Sequence, residues 1–330
     1  MKLRELLSAA SIALTLGLAA CGGGSDEGSE SKVPNIQRMV VFGDSLSDAG
    51  TLTPTAQTVG GGKHTTNPGP IWAEAVASQL GVALTPAVMI DANALVHSCP
   101  KPGCFDYAQG GSRVTDSAGP YSIKQQLANF YAASNNTFNG SSDVVFVLAG
   151  SNDVFYWAGV AATPGSGVTP AIAMAQVQQA ATELVGYIKD MISKNATQLY
   201  VLNLPDSSLT PGGTAADAPL VSAFNATLQS GLAGTTARVI DFNAQFAAVI
   251  QNGAQFGFSN TTTPACDAAK IDALVPGAGG SSLFCSANTL VAAGADQSYL
   301  FADGVHPTTG GHRLIASNVL QRLLADSLMH

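Results

Sequence analysis

Charged side chains are scarce in this sequence. Asp, Glu, Lys and Arg make up 11% of its 330 residues, whereas about 25% is usual for a soluble domain. Basic residues are the scarcer sign, since 14 Lys and Arg face 22 Asp and Glu for a formal net charge of −8. A nucleic-acid-binding protein needs a cationic surface to displace the counterions of the phosphate backbone. The charge balance therefore argues against a nucleic-acid partner.

Several patterns are also missing. The sequence shows no internal repeat, no coiled-coil heptads and, after residue 20, no hydrophobic run of membrane-spanning length. The G-x-S-x-G pentapeptide of the α/β-hydrolase nucleophile turn does not occur. Gly60–Lys63 is not a phosphate-binding loop, because the spaced first Gly and the Ser or Thr after the Lys are lacking. What remains from residue 35 onward is predicted to be one domain.

The first 20 residues have the composition of a secretory signal peptide. Lys2 and Arg4 precede an apolar stretch, Leu6–Ala20, that ends in small residues and is too short to span a bilayer comfortably. Residues 18–21 (LAAC) resemble the lipobox of bacterial lipoproteins, in which the cysteine is diacylated and becomes the new N-terminus. Residues 1–20 are therefore predicted to be a lipoprotein signal peptide. Residues 21–34 are predicted to be the lipidated Cys21 and a flexible tether.

This interpretation predicts export and attachment to a membrane through the N-terminal lipid, on the outer membrane or cell surface. In the alternative, Cys21 is incidental and the protein is secreted or periplasmic. The four other cysteines agree with an oxidising compartment. Of their three pairings, Cys99 with Cys104 and Cys266 with Cys285 are favoured, because each closes a local loop rich in Pro, Gly or Ser. A zinc site is the rival interpretation, although the spacing lacks a second close ligand pair.

Segments typical of strands and helices alternate along the domain. Short runs rich in β-branched residues have the length of buried parallel strands, and segments with apolar residues three and four apart lie between them. This alternation predicts βαβ units and a parallel sheet covered on both faces. The predicted strands are Arg38–Phe42, Asp143–Ala149, Gln198–Asn203 and Arg238–Phe242, and the predicted helices are Ile71–Leu80, Ser122–Tyr131, Ile172–Ile192, Pro219–Leu232 and Gly311–Leu328.

Ser45 lies in the segment FGDSLSD, residues 42–48, where the first strand is expected to end and a helix to begin. Ligands of open α/β sheets bind at the carboxyl ends of strands, and a helix N-terminus offers N–H groups to a developing anion. A helix N-cap is the alternative role for this serine.

Asp303 and His306 favour the catalytic interpretation, because an Asp three residues before a His can accept from Nδ1–H and leave Nε2 free to take a proton from a serine. The alternative here is a turn with an Asx cap.

Four short segments together resemble the conserved blocks of the GDSL, or SGNH, hydrolases. They are GDSL at 43–46, YAQGG at 107–111, GSND at 150–153 and DGVHP at 303–307, and their order and spacing match across the whole mature chain. Two positions depart from the usual blocks: Asp106 stands where Asn is more common, and Ser151 replaces the commoner Gly. Neither departure removes a catalytic group.

The resemblance implies a three-layer α/β/α flavodoxin-like fold with a central parallel sheet of about five strands. It also implies that Ser45 is the nucleophile, His306 the general base and acid, and Asp303 its orienting partner. The backbone N–H groups of Ser45 and Gly111 and the side-chain amide of Asn152 would form the oxyanion hole. The reaction implied is two-step hydrolysis of a carboxylic ester, which requires no metal or cofactor.

Three aromatic residues after Asn152, namely Phe155, Tyr156 and Trp157, are predicted to line an acyl pocket, with core packing as the alternative. His64, His97 and His312 have no partner at a useful spacing and are interpreted as structural or surface positions. An esterase or lipase acting on an ester or lipid substrate is the main interpretation. A phospholipase, an acyltransferase or a polysaccharide deacetylase would use the same residues, and a non-catalytic surface binding module is the alternative from another class.

Overall fold

A computed structural model describes residues 35–99, 103–116 and 121–329. The predictions for residues 1–34, including Cys21, lie outside the described residues. In chain order the elements are β1 (Arg38–Gly43), α1 (Thr53–Ala56), α2 (Trp72–Leu80), β2 (Val88–Ile90), β3 (Val96–Ser98), α3 (Ile123–Ala133), β4 (Asp143–Leu148), α4 (Ser151–Ala162), α5 (Pro170–Ser193), β5 (Gln198–Leu202), α6 (Asp217–Leu232), β6 (Arg238–Ile240), α7 (Phe242–Gln251), β7 (Asn260–Pro264), α8 (Ala268–Leu274), α9 (Ala295–Ser298), β8 (Tyr299–Phe301) and α10 (Thr309–Ala325).

The central sheet is parallel, with strand order β1-β4-β5-β6, which confirms the predicted α/β class. Every residue of β4 is buried, and so are all of β1 after its first residue. Continuous burial is the pattern of a strand covered on both faces. The expected fifth strand is only a short stretch: Phe105 O accepts from Val41 N at 2.9 Å and Tyr107 N donates to Val41 O at 2.8 Å, along the free edge of β1.

Aromatic contacts show that helices cover both faces of the sheet. Phe42 of β1 contacts Phe130 of α3, with ring centroids 5.7 Å apart. Phe146 of β4 contacts Trp72 of α2, at 5.5 Å. Phe42 pairs in register with Val147, the neighbour of Phe146, and successive side chains of a strand point to opposite faces. Helices α3 and α2 therefore lie on opposite sides of the sheet, as the three-layer prediction requires.

Two smaller sheets lie outside the central one: β2 and β3 pair antiparallel, and β7 pairs parallel with β8. The sulfurs of Cys99 and Cys104 are 1.92 Å apart and those of Cys266 and Cys285 are 1.97 Å apart, the pairing that the sequence favours. In the part of the chain that the structure describes, no helix has both the length and the apolar character needed to cross a membrane.

The predicted helices are present with slightly shifted ends, and five further helices of the described residues were not expected. Three of them, α1, α8 and α9, are short, and the other two are α4 and α7. Helix α4 begins directly after the turn that follows β4, and α7 begins at Phe242, which the sequence interpretation assigned to a strand. Both of these helices start at the carboxyl edge of the central sheet. They therefore place additional side chains beside the segments that resemble catalytic blocks.

Candidate active site

Ser45 follows β1 in a tight turn rather than at the start of a helix. Asp44 Oδ1 accepts from Leu46 N at 3.1 Å, and Ser47 N donates to Asp44 O at 3.0 Å. The next helix, α1, does not begin until Thr53. The expectation that a helix begins at Ser45 is therefore wrong. The Asx-type turn after the strand end presents the Ser45 side chain instead.

The structure brings Ser45, His306 and Asp303 into one hydrogen-bonded chain. His306 Nε2 lies 2.8 Å from Ser45 Oγ, and His306 Nδ1 lies 2.8 and 2.9 Å from the two carboxylate oxygens of Asp303. With Nδ1–H donating to the carboxylate, Nε2 is the atom that can accept the serine proton. Ser45 and His306 meet although they are 261 positions apart in the sequence.

Backbone N–H groups hold Asp303 in place. Ser282 N donates to Oδ2 at 2.9 Å, and Val305 N donates to Oδ1 at 3.0 Å. Ser282 belongs to the loop closed by Cys266 and Cys285. The long segment between α7 and the Asp303 turn therefore contributes a direct hydrogen bond to the candidate catalytic acid.

Asp303 and His306 of this hydrogen-bonded chain each stabilise the charged form of the other. Burial alone would raise the pKa of Asp303, but the nearby His306 charge and the donated hydrogen bonds hold that pKa below its ordinary value. Burial opposes protonation of His306, yet the Asp303 carboxylate and the charge of Asp44 leave its pKa raised above 6.5. Burial raises the pKa of Asp44 to about 7. Asp303 therefore stays ionised in the pH range where His306 titrates.

The three predicted oxyanion-hole groups border the same cavity. Within the described ranges, neither the Ser45 N–H nor the Gly111 N–H has a hydrogen-bond acceptor. Gly111 has a φ of +81°, in the left-handed region that glycine adopts without strain. Asn152 Nδ2 donates to Ser112 O at 2.9 Å, which fixes the amide and leaves its second N–H for another acceptor.

This cavity has a volume of about 280 Å³ and is largely apolar. Phe155 lines it, but Tyr156 and Trp157 do not. Successive helical residues point about 100° apart, and on α4 this turns Tyr156 outward, 46% exposed, over the Arg113 guanidinium. Two rings that the sequence interpretation did not select, Phe242 and Phe246 of α7, line the cavity in addition. Their position at the carboxyl end of β6 was the available signal.

His64 was interpreted as a structural or surface residue, but the structure places it in the cavity wall. Its ring lies over the His306 ring, with centroids 4.7 Å apart. Burial and the His306 charge lower the pKa of His64 to about 3, so this ring is neutral when His306 titrates. Both of its nitrogens are buried and, among the residues described, unpartnered. His312 is buried, and its Nδ1 accepts from Trp72 N at 3.3 Å.

Metal ligation has no candidate in the described residues, where no group of three or more His, Cys, Asp and Glu side chains could hold an ion. His97 pairs with Asp91 at an exposed site, 2.8 Å from Nε2 to Oδ2.

A parallel α/β sheet that carries a Ser–His–Asp hydrogen-bonded chain and free N–H donors at its carboxyl edge has the arrangement of a serine-dependent hydrolase.

The chain belongs to the GDSL-like lipase/acylhydrolase family, whose model matches residues 39–319. A search of curated proteins found no match. Similar solved structures include LAE5, an α/β hydrolase from the metagenome of Lake Arreo, Spain, with 14% identity, coverage of 90% of this chain and 100% of that chain, and a TM-score of 0.45. A catalytic mutant of Axe2, an acetylxylan esterase from Geobacillus stearothermophilus, has 13% identity, coverage of 89% and 97%, and a TM-score of 0.45. A GDSL-like lipase from Parabacteroides merdae has 15% identity, coverage of 90% and 99%, and a TM-score of 0.44.

Proposed function

We propose that this protein hydrolyses carboxylic esters through an acyl-enzyme on Ser45. The observation that carries the proposal is the hydrogen-bonded chain in which Ser45 Oγ lies 2.8 Å from His306 Nε2, beside a cavity with two unused backbone N–H groups. Membership in a lipase/acylhydrolase family supports the same chemistry.

In the first step, Ser45 Oγ attacks the ester carbonyl carbon while His306 Nε2 takes the hydroxyl proton. The carbonyl electron pair moves to the oxygen, and the N–H groups of Ser45, Gly111 and Asn152 donate to this oxyanion. As the intermediate collapses, His306 returns the proton to the leaving alkoxide and the alcohol departs. Water then attacks the acyl-enzyme by the same route, which releases the carboxylic acid and restores the Ser45 hydroxyl.

The size of the cavity favours small esters. The cavity volume of about 280 Å³ is near the lower end of the range of about 300–1,000 Å³ that is usual for small-molecule pockets. An ester with a short acyl chain is closer to this size than one with a long lipid chain. We expect p-nitrophenyl acetate and butyrate to be hydrolysed faster than the laurate, and preference for the laurate would contradict this size argument.

The test of the function is Ser45→Ala together with covalent labelling by a fluorophosphonate. Ester hydrolysis is expected to vanish in variant protein whose circular dichroism and melting temperature match the wild type, because the attacking oxygen is gone. Wild-type protein should carry the label on Ser45. Activity retained by the pure, folded variant, or a folded wild-type protein that takes no label, would overturn the proposal.

The proposal extends to the rest of the chain as the sequence divides it. Residues 35–330 form the hydrolase domain, Cys99–Cys104 and Cys266–Cys285 are disulfides, and Cys21 is the lipidated anchor after removal of residues 1–20. The composition and the LAAC segment of the N-terminus support this division. Metabolic labelling with a fatty acid should mark the wild-type protein and not Cys21→Ser. Equal labelling of the two would contradict the anchor.

A further inference from the structure

The apolar part of the active-site cavity ends at two phenylalanine rings. Phe242 and Phe246, one helical turn apart on α7, are 3% and 6% exposed and line the cavity at its buried end. Phe155, on the other hand, is partly exposed. Phe155 is therefore the most accessible of the three rings, and we take its side of the cavity as the open side and the side at the α7 rings as the closed side.

A second, smaller cavity lies behind the same rings. It has a volume of about 20 Å³ and shares Phe242, Phe246 and Pro307 with the active-site cavity. Its other walls are formed mainly by apolar side chains of α7 and α10, among them Val249 and Leu314. The two phenylalanine rings thus border both the substrate space and this small, mainly apolar pocket.

The order of the reaction decides which half of an ester would occupy the closed side. The alcohol departs first, and water must then reach the acyl-enzyme while the acyl group stays bonded to Ser45. A group that leaves and a water that enters both need the open side. The acyl chain can remain at the closed side through both steps, in contact with apolar walls.

We propose that the acyl chain of the substrate lies against Phe242 and Phe246 and that the Phe246 ring sets the upper limit of chain length. This inference rests on the proposed ester hydrolysis and specifies its substrate as an ester of a short, unbranched apolar acid. Each methylene that gains apolar contact should raise kcat/KM about fourfold until the chain meets the Phe246 ring. Beyond that length kcat/KM should fall.

The experiment compares chain-length profiles of the full exported protein with p-nitrophenyl esters from acetate to laurate. Each profile is normalised to its own maximum. In Phe246→Ala the loss of six ring carbons joins the two cavities, so the maximum should move to chains about four carbons longer, with at least a tenfold relative gain for the laurate. Because a buried Phe→Ala change can prevent folding, Phe246→Leu is the second variant and should move the maximum in the same direction by a smaller step.

Controls separate this inference from a general loss of packing. Phe258 is also buried, 3% exposed, but it does not line the active-site cavity, so Phe258→Ala should keep the wild-type profile. A second ester series holds the acyl group as acetate and lengthens the alcohol. The proposal would be overturned if Phe246→Ala moved the chain-length maximum in the alcohol series alone. It would also be overturned if Phe155→Ala moved the maximum in the acyl series while neither Phe246 variant did. A wild-type protein that hydrolyses no ester refutes the proposed function itself, whereas hydrolysis with unshifted Phe246 profiles refutes only this inference.

Discussion

Replacement of Asn152 by Ala tests the oxyanion hole at the one predicted donor that belongs to a side chain. The Asn152 amide donates one bond, 2.9 Å long, to Ser112 O, and its remaining N–H is the proposed donor to the oxyanion. Loss of a single donor of this kind raises the barrier by about 3–4 kcal/mol. We therefore expect kcat to fall between about 100-fold and 1,000-fold in Asn152→Ala, with little change in KM, because the interaction is made in the transition state.

The same variant should remain folded, because it loses one hydrogen bond worth about 1 kcal/mol. Asn203→Ala is a control outside the cavity: the Asn203 amide donates a 2.9 Å bond to Asp241 and accepts one of 2.8 Å from Asn243 N, but it does not line the cavity. Steady-state kinetics and thermal melts of both variants provide the measurement. A kcat loss below about tenfold in Asn152→Ala, or an equal loss in both variants, would refute the assignment of this donor.

Three further outcomes are expected. The wild-type kcat/KM should fall as the pH drops through the raised pKa of His306, because the protonated ring cannot accept the Ser45 proton. In Asp44→Asn the fall in kcat/KM should move to lower pH, since the Asp44 charge raises the pKa of His306. A pH profile that does not move would contradict this coupling between Asp44 and His306. Gly150→Ala should lower the free energy of unfolding by at least about 2 kcal/mol, because Gly150 has a φ of +122° and a Cβ would lie 2.3 Å from the Phe224 ring. An unchanged melting temperature would count against the placement of α4. His64→Phe should leave the melting temperature equal or higher, because it removes two buried nitrogens that have no partner among the described residues. A fall of several degrees would contradict this expectation.

The strands that the sequence predicted well are those buried on both faces. β1, β4 and β5 stand out because each strand is a nearly continuous apolar run bounded by polar or Gly residues. The end of β1 is therefore also evident, and the carboxyl-edge rule then places Ser45. Asp303 and His306 were predictable because their pairing is local, three residues apart.

The features that the sequence did not predict depend on contacts between distant segments or on ambiguous short runs. Phe242 ends a β-branched run, and periodicity alone cannot separate a strand end from a helix start over so few residues. His64 lies in residues 51–70, a loop-like stretch rich in Gly and Thr where no spacing pattern indicates His306 as a partner. The length of this stretch was itself a signal, because long loops are often functional.

The hydrogen bond from Ser282 N to Asp303 has a consequence for production of the protein. Ser282 lies three residues before Cys285, inside the loop that its pairing with Cys266 closes, so the geometry of the candidate catalytic acid depends on how that loop is oxidised. Protein made in a reducing cytosol should contain a smaller fraction of active molecules than protein exported to an oxidising compartment, even where both are soluble. Titration with an active-site label, rather than total yield, is therefore the appropriate measure of an expression host.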